Sequence, residues 1–461
     1  MKLNPYPKYK KTDMDYFDKI PLHWDILPNR AIFEERNTKN TTNEALLSVT
    51  IRQGVIKQKE LLENSSKKDS SNTDKSMYKL VLEGDLPYNK MRMWQGAVGV
   101  SKYRGIVSPA YIVLKSRRNA YSDYFHYLFR TPTYIKELHR YSYGICDDQL
   151  SLRFKDFKLI KSVLPPLEEQ KNISAFIHVK ENKIEKFIRK KRRLIKLLKE
   201  QKQVIINQAV TRGIDPDVRF KPSGVEWLGD IPQDWKTKRL KLLFKNIADQ
   251  TIYKNNDEIY IALEYVESWT GRLTFPKEKI QFESQVKKFV VKDILFCKLR
   301  PYLAKVVCAD CNGVCVGEFL VLRNTDKEVL PKFMEFKLRS LHMIDFINSS
   351  TFGAKMPRAD WRFIGNVLVS YPASLQEQKI IVDKIVREIK RIDQLIKKTE
   401  REINIICEYR TRLISDVVTG KLDVRNINAD NVSDEEIING SFINEETKDL
   451  NNSIKEVSNE H

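Results

Sequence analysis

The chain has 461 residues, of which 41% are hydrophobic, so it is long enough for two or three domains with cores of their own. No apolar run approaches the ~20 residues of a membrane-spanning helix, and the polar N-terminus does not resemble a signal peptide. The six cysteines are too irregularly spaced for a disulfide framework. We therefore expect a cytoplasmic protein without a membrane contact. The formal net charge is +20, but the stretch after Gly420 carries 10 acidic and 4 basic residues, so residues 1–420 carry +26 and favour a polyanion such as nucleic acid as partner.

The first predicted domain, residues 1–167, begins with a phrase that the chain uses twice. Residues 13–24 read DMDYFDKIPLHW and residues 224–235 read GVEWLGDIPQDW. Both end in Ile-Pro, two further residues and Trp, and the two tryptophans lie 211 residues apart. We call this the Ile-Pro-Trp phrase, and its recurrence indicates that each copy opens a separate domain.

Short apolar runs alternate with turns in both predicted domains, which is typical of a mixed α/β fold. In the first domain we predict, in chain order, strand 45–51, polar loop 58–76, strands 78–82 and 105–115, and helix 122–144. In the second domain, residues 214–375, we predict strands 259–266 and 319–323 and helix 331–347.

Each domain contains one segment that interleaves basic and aromatic side chains, at residues 89–105 and 297–306. Arg and Lys can contact guanine or phosphate, Gln can read adenine, and aromatic rings can pack on sugars or bases. The alternative is that Trp94 and Tyr302 belong to the core and the cations form a solvated edge. The candidate DNA-contacting residues are Lys90, Arg92, Trp94, Gln95, Lys102, Arg104, Lys298, Arg300, Tyr302 and Lys305.

Two long helices follow the domains, at residues 168–213 and 376–420. Neither contains Pro or Gly before its last residue, and both carry apolar residues at a 4-3 spacing that is typical of a coiled-coil seam. The predicted seam comprises Ile177, Ile184, Ile188, Ile195, Leu198, Ile205, Ile385, Ile389, Ile392, Ile396, Ile403, Ile406, Leu413 and Val417.

Polar residues interrupt the seam at matching places, Lys191 with Thr399 and Lys202 with Arg410; the first helix has a further break at Glu181. We therefore expect the two helices to pair with each other as an antiparallel coiled coil whose breaks fix the register. The alternative is that each helix belongs to its own bundle. The basic run RKKRR at 189–193 is a solvated face, a phosphate-facing stripe or a docking face for another subunit.

The chain is a tandem repeat with an offset of about 208 residues. DLPYNKMRMW at 85–94 aligns with DILFCKLRPY at 293–302, and SYG at 142–144 returns as TFG at 351–353. The helix starts also match, as LPPLEEQK and PASLQEQK. The ends of the two copies agree better than their interiors, which predicts an α+β protein with two pseudo-symmetric domains joined by the helix pair.

Catalytic motifs are missing from the sequence. It has no phosphate-binding G-x-x-x-x-G-K-[ST] loop, no H-E-x-x-H pair, and no credible nucleophile-base or paired-carboxylate arrangement. Cys308, Cys311 and Cys315 stand close together, but no histidine lies nearby in sequence, so we interpret them as free or buried thiols. We predict no catalytic residue and no metal site in this chain. The acidic stretch 421–461 resembles a disordered tail, either a plain one or a shield for the basic surface.

Taken together, residues 1–420 resemble the specificity subunit of type I restriction-modification enzymes, a bacterial defence system. The resemblance rests on the Ile-Pro-Trp phrase, best preserved at Ser223–Trp235, on the Pro-Pro-Leu-Glu-Glu-Gln helix start at 165–170, on the stretch 298–305 and on the two terminal helices. The first copy of the phrase and the second helix start depart from the pattern.

This resemblance implies two target-recognition domains that each read half of a split double-stranded DNA site, with the helices as a spacer. It also implies two modification subunits that bind S-adenosylmethionine and methylate adenine, and two motor-nuclease subunits that use ATP and Mg²⁺. This chain itself would bind no cofactor. The alternative function is a non-enzymatic nucleic-acid-binding coiled-coil scaffold outside restriction-modification, and a less favoured one is a self-sufficient nuclease or methyltransferase.

Overall fold

A computed structural model describes residues 3–39, 44–51, 53–63, 74–117, 119–144, 150–252, 259–275, 285–353 and 355–427. The chain divides into two compact units: unit 1 comprises residues 1–191 and 401–461, and unit 2 comprises residues 192–400. Each unit contains one globular domain and one half of each long helix. Of the acidic stretch 421–461 that we expected to be disordered, residues from 428 onwards lie outside the described residues, but Leu422, Val424 and Ile427 pack in the core of unit 1, so the expectation is wrong for this part. Most of the expected loop 58–76 also lies outside the described residues, and its first residues, 58–63, form a helix instead of a loop.

Unit 1 combines short antiparallel strands with an aromatic core. Its strands are β1 (Tyr9–Met14), β2 (Phe17–Pro21), β3 (Asp25–Pro28), β4 (Phe33–Glu35), β5 (Leu47–Thr50), β6 (Gly54–Lys57), β7 (Lys79–Val81), β8 (Leu86–Asn89), β9 (Gly105–Val107), β10 (Tyr111–Ser116) and β11 (Lys161–Leu164). Its helices are α1 (Asn29–Ile32), α2 (Gln58–Glu63), α3 (Ser122–Leu128), α4 (Pro132–Arg140), α5 (Phe154–Phe157) and the start of α6 (Leu167–Arg212). The order β4-β10-β8 forms a three-stranded sheet, and β1-β2, β3-β11, β5-β6 and β7-β9 form pairs.

Unit 2 repeats this plan with larger sheets. Its strands are β12 (Phe220–Pro222), β13 (Asp230–Pro232), β14 (Trp235–Arg239), β15 (Phe244–Ile247), β16 (Gln250–Thr251), β17 (Ile259–Ile261), β18 (Val286–Phe289), β19 (Ile294–Cys297), β20 (Val306–Cys308), β21 (Gly313–Val316), β22 (Phe319–Asn324) and β23 (Leu368–Pro372). Its helices are α7 (Leu240–Leu243), α8 (Pro331–Leu338), α9 (Leu341–Ser349), α10 (Trp361–Ile364) and the start of α11 (Leu375–Val418). The two four-stranded sheets have the orders β15-β22-β19-β20 and β16-β18-β21-β17.

The single helix expected in each domain is two helices in the structure. In unit 1 the break falls where Thr131 accepts a hydrogen bond from the backbone N–H of Tyr134 and Pro132 starts α4. Proline lacks the N–H that a continuing helix needs, so it favours a new first turn. In unit 2 the break falls at Arg339 and Ser340, between α8 and α9.

The long helices pack against each other in an antiparallel coiled coil, as expected. In unit 1, Ile184 and Ile188 of α6 pack against Ile406 of α11. In unit 2, Leu198 of α6 packs against Ile392 and Ile396 of α11. Of the other seam candidates, Ile403 joins the first cluster and Ile195 and Ile205 join the second, all three partly buried. The remainder continue into the cores of the globular domains, namely Ile177, Leu413 and Val417 in unit 1 and Ile385 and Ile389 in unit 2.

The polar breaks in the seam are filled by charges from the opposite helix and not by their counterparts in the repeat. In unit 1, the Nζ of Lys191 lies 2.7 Å from Oε2 of Glu402. In unit 2, the Nζ of Lys202 lies 2.8 Å from Oδ1 of Asp393, and this lysine side chain is only 8% exposed. These cross-helix pairs, partly buried at Lys191 and more deeply buried at Lys202, favour one register, because a slipped pairing would leave a charge without a partner.

Glu181, the third break of α6, is held in unit 1 in another way. Burial raises the pKa of its carboxyl, while a hydrogen bond from Tyr127 and the positive charges of Arg410 and Arg130 oppose this shift. Arg410 is itself one of the expected breaks on α11. Thr399, the remaining break, donates its hydroxyl hydrogen to the carbonyl of Leu395 on its own helix, at 2.8 Å.

The Ile-Pro-Trp phrase joins each domain to the helix that follows it. In unit 1, Nε1 of Trp24 donates to Oε1 of Glu169 at 3.0 Å. In unit 2, Nε1 of Trp235 donates to Oε1 of Glu377 at 2.9 Å. Both tryptophans are almost completely buried. In each unit, therefore, the Trp of the repeated phrase and the Glu of the repeated helix start are the two partners of one hydrogen bond.

The glutamine that follows each glutamate closes the same junction. In unit 1, Gln170 donates to the carbonyls of Asn119 and Pro165 and accepts from the N–H of Tyr121. In unit 2, Gln378 donates to the carbonyls of Glu328 and Pro372 and accepts from the N–H of Leu330. Each side chain satisfies three backbone groups that burial would otherwise leave unpaired.

Candidate nucleic-acid interface

Each unit presents a basic turn, residues 90–95 in unit 1 and residues 298–303 in unit 2. Each turn follows one strand of the sheet that we call the main sheet, β4-β10-β8 in unit 1 and β15-β22-β19-β20 in unit 2. In unit 1, β8 ends at Asn89 and a 3-10 turn at Met93–Gln95 follows. In unit 2, β19 ends at Cys297 and a 3-10 turn at Pro301–Leu303 follows. The expected DNA-contacting residues lie on these two turns or in the segments just after them.

The start of each strand is fixed by a carboxylate that occupies the same place in the repeat. Asp85 accepts two hydrogen bonds from Arg36, at 2.7 and 3.1 Å, and Asp293 accepts two from Arg323, at 3.0 and 2.7 Å. Both aspartates are buried, so the paired, two-pronged geometry is strong. A rigid strand carries each basic turn.

The unit 1 candidates differ in accessibility. Arg92 and Lys102 are exposed, and Lys90 is half-buried. Arg104 is also exposed, but its Nε lies 2.7 Å from a carboxylate oxygen of Glu44. Within the described residues, no carboxylate lies within ion-pair distance of Arg92, so its charge is available to a ligand.

Trp94 and Gln95 belong to the 3-10 turn of unit 1 and are partly buried. The indole Nε1 of Trp94 donates to the carbonyl of Met91 at 3.0 Å, and its ring meets that of His139 edge-on at 5.6 Å. These contacts fix the turn on α4. Oε1 of Gln95 is buried and has no hydrogen-bond partner in the part of the chain that the structure describes.

The unit 2 candidates divide in the same way. Arg300 is exposed, with its backbone in the left-handed region at φ 51° and its N–H bonded to the carbonyl of Pro357 at 2.7 Å. Tyr302 is 44% exposed. Lys298 is half-buried, and the Nζ of Lys305 donates to the carbonyl of Leu263 at 2.6 Å, which gives this lysine a structural role.

Two exposed aromatic residues beside the turns did not stand out in the sequence. Tyr143 is 65% exposed in unit 1 and Phe352 is 62% exposed in unit 2. They are the middle residues of the repeated SYG and TFG triplets, and that repetition of an aromatic was the signal that could have found them.

His126, Cys308 and Cys315 are uncharged at neutral pH, so these three groups supply neither a cation nor a thiolate. Burial and the neighbouring charges of Arg130 and Lys102 lower the pKa of His126 to about 3, so this histidine is neutral. Burial raises the pKa of Cys308 and of Cys315 to about 12, so both thiols stay protonated. The described residues contain no group of three His, Cys, Asp or Glu side chains that could hold a metal ion.

The helices of the described ranges are too polar or too short to cross a membrane.

The candidate interface thus consists of two exposed basic turns that carry aromatic side chains on rigid strands. This chemistry suits a polyanion that contains stacked aromatic bases.

Comparison with known proteins places these features in one family. The family described as "Type I restriction modification DNA specificity domain" matches residues 36–196 and again residues 232–404, which together are more than half of the chain. Two relatives come from Methanocaldococcus jannaschii. The type I restriction enzyme MjaX specificity subunit is 22% identical over 437 residues, which are 90% of this chain and 97% of the relative. The MjaVIII specificity subunit is 25% identical over 293 residues, 59% of this chain and 65% of the relative.

Two solved structures share the fold. A chain from a study of complex assembly and conformational transition of the type I R-M system superposes with a TM-score of 0.62 at 14% identity, covering 87% of this chain and 99% of that one. The HsdS subunit from Thermoanaerobacter tengcongensis superposes with a TM-score of 0.51 at 16% identity, covering 87% of this chain and 98% of the other.

Proposed function

The chain belongs to the type I restriction-modification DNA specificity family and is a non-catalytic specificity subunit, and from this we propose that each unit reads one half of a split double-stranded DNA target. The observation that carries the proposal is the recurrence of one basic turn in both units. Arg92 and Arg300 occupy the same repeat position and are both exposed, while the residues around them differ. A shared cation suits a phosphate, and divergent neighbours suit different bases.

The helix pair is proposed to set the number of base pairs between the two half-sites. Both helices run without a break from one unit into the other, 46 residues in α6 and 44 in α11. At about 1.5 Å per residue, α6 is about 70 Å long. The cross-helix pairs Lys191–Glu402 and Lys202–Asp393 would keep that length fixed by preventing slippage.

The helix pair is also proposed to dock two modification subunits, which would bind S-adenosylmethionine and methylate adenine in each half-site. Leu194 and Leu197 of α6 are 41% and 50% exposed and lie beside Arg192 and Arg193, so this part of the helix offers apolar area within a basic surface. Two motor-nuclease subunits with ATP and Mg²⁺ would complete a cleaving complex in the cytoplasm. A nucleic-acid scaffold outside restriction-modification is not favoured, because the family match spans both domains.

Methylation mapping tests the proposal directly. In cells that carry the chain with its modification subunits, sequencing should reveal adenine methylation at a motif of two short, unrelated halves, and deletion of the gene should abolish it. Replacing residues 25–160 with those of another family member should change one half only. If every split methylation motif survives the deletion, the proposal is wrong for this protein.

A point variant separates phosphate contacts from base reading. Arg300→Ala should weaken binding to target and unrelated DNA alike and should reduce the slope of log affinity against log salt by about 1, because one phosphate contact is lost. Lys305→Ala is the comparison: its ammonium already serves Leu263, so we expect the salt slope to be unchanged.

A further inference from the structure

Tyr143 and Phe352 have no role in the fold that accounts for their exposure. Within the described residues, neither ring contacts another ring and the Tyr143 hydroxyl has no hydrogen-bond partner. Single exposed apolar side chains are ordinary on protein surfaces. Here, however, the exposed aromatic recurs at the same repeat position in two domains whose interiors have diverged.

The backbone holds both residues in the same way. In unit 1, Tyr143 exchanges two hydrogen bonds with Ser151, at 3.1 and 2.9 Å, and the next residue, Leu152, donates its N–H to the carbonyl of Lys90 at 2.9 Å. Tyr143 is therefore linked through Ser151 and Leu152 to Lys90, the first residue of the basic turn.

Unit 2 repeats this fastening step by step. Phe352 exchanges two hydrogen bonds with Arg358, at 3.2 and 3.0 Å, and the next residue, Ala359, donates to the carbonyl of Lys298 at 2.9 Å. Arg358 is held in turn by Glu318, with Nη2 at 2.9 Å from Oε1. Met356, on the same loop, is 51% exposed. Each aromatic side chain is therefore presented on a fixed backbone beside a basic turn.

We propose that Tyr143 and Phe352 are base-contacting residues, one for each half of the DNA target, an inference that rests on the proposed function. When the cations of the turns contact DNA phosphates, we expect an uncharged ring beside them to face the groove between the two DNA strands. An aromatic ring there can pack on a thymine methyl group or wedge against a base step. The two rings differ by one hydroxyl group, so Tyr143 can also hydrogen-bond a base edge and Phe352 cannot.

The test uses the full chain in complex with its modification subunits and DNA that carries the methylated motif. Phe352→Ala should lower affinity for the target about 10- to 100-fold, the range of one base contact. Affinity for unrelated DNA and the salt slope should stay as in the wild type, since no phosphate contact is lost. Leu242→Ala is the matched control, because Leu242 is 60% exposed in the same unit and belongs to α7 and not to the turn or the loop that carries Phe352.

Binding to a panel of single-base target variants assigns the contact. Phe352→Ala should flatten the preference at one or two adjacent positions in one half-site, and Tyr143→Ala should do so in the other half. Tyr143→Phe should have the smaller effect of losing only a hydroxyl.

An equal loss of affinity for target and unrelated DNA would overturn the inference, as would an unchanged target preference. Loss of the modification subunits from the complex would mark the loop as a protein-docking surface and would overturn it as well. The proposed function fails separately, if the wild-type complex itself prefers no split target.

Discussion

Lys337 of α8 provides a sensitive test of how unit 2 holds the end of α6. Its side chain is buried, and its Nζ donates to the carbonyl of Val210 at 2.8 Å and to Oγ of Ser370 at 2.9 Å. Within the described residues, no carboxylate pairs with it. The Val210 carbonyl is one of the last four of α6, which have no partner within the helix. Lys337 therefore caps a helix end from a neighbouring element.

Burial lowers the pKa of Lys337 from 10.5 to about 7. In the unfolded chain the lysine keeps its ordinary pKa, so between these values the unfolded state binds more protons than the folded state. Stability must then rise with pH across this window, and the full cost of burial applies below about pH 7. Between pH 7 and pH 9 this one group should raise the free energy of unfolding by about 2 kcal/mol.

Urea unfolding of the wild type and of Lys337→Met at pH 7 and pH 9 measures this contribution. Other groups titrate equally in both proteins, so the difference between their pH dependences isolates Lys337. The wild type should gain about 2 kcal/mol more than the variant from the pH change. Lys327→Met, at an exposed position of the same unit, should behave like the wild type. An equal gain in wild type and Lys337→Met would show that the lysine is charged in the folded state and would refute the reasoning.

Three further predictions concern the framework. Gln378→Ala should lower the free energy of unfolding by about 2–4 kcal/mol, measured by thermal unfolding, because the partly buried N–H of Leu330 and the carbonyls of Glu328 and Pro372 all lose their partner, while Gln376→Ala on the exposed face should cost almost nothing. Gly271→Ala should cost more than about 2 kcal/mol, since its Cβ would lie 1.7 Å from Nη1 of Arg339 at a φ of +67°; Gly317→Ala, with open space around it, is the control, and similar costs for both would contradict this packing. Seven-residue insertions in both helices, after Lys191 and after Glu400, should preserve the seam and lengthen the preferred gap by about three base pairs; an unchanged gap in methylation mapping would exclude the spacer role.

Local patterns were sufficient to predict the long elements. The helices expected at 168–213 and 376–420 are found at Leu167–Arg212 and Leu375–Val418, because proline before the helix and glycine after it act on adjacent backbone. The apolar spacing also predicted which faces of the helices meet. The break at Thr131 was missed because the aromatic periodicity continues across Pro132.

Contacts between distant residues were beyond sequence reasoning. The bond from Trp24 to Glu169 joins positions 145 residues apart, although both residues belong to motifs that repeat. In the candidate interface, Lys305 and Arg104 look as available as Arg300 in the sequence. Only the fold brings the carbonyl of Leu263 to one and the carboxylate of Glu44 to the other.

The repeat preserves geometric requirements more strictly than residues, and this explains how its two domains could diverge. Val418, which ends α11, corresponds to Val210 near the end of α6, and its carbonyl also needs a donor from the adjoining domain. That donor is the hydroxyl of Tyr124, at 2.8 Å, where unit 2 uses the ammonium of Lys337.

The turn before each main-sheet strand shows the same freedom. Gly84 has φ 84° in unit 1, and its counterpart Lys292 has φ 71° in unit 2, so the left-handed backbone persists without the glycine that normally favours it. A framework that accepts different side chains for the same bond or the same φ places little constraint on the turns it carries. The residues beside Arg92 and Arg300 can therefore change independently in each unit, and we expect the two half-sites to be unrelated in sequence.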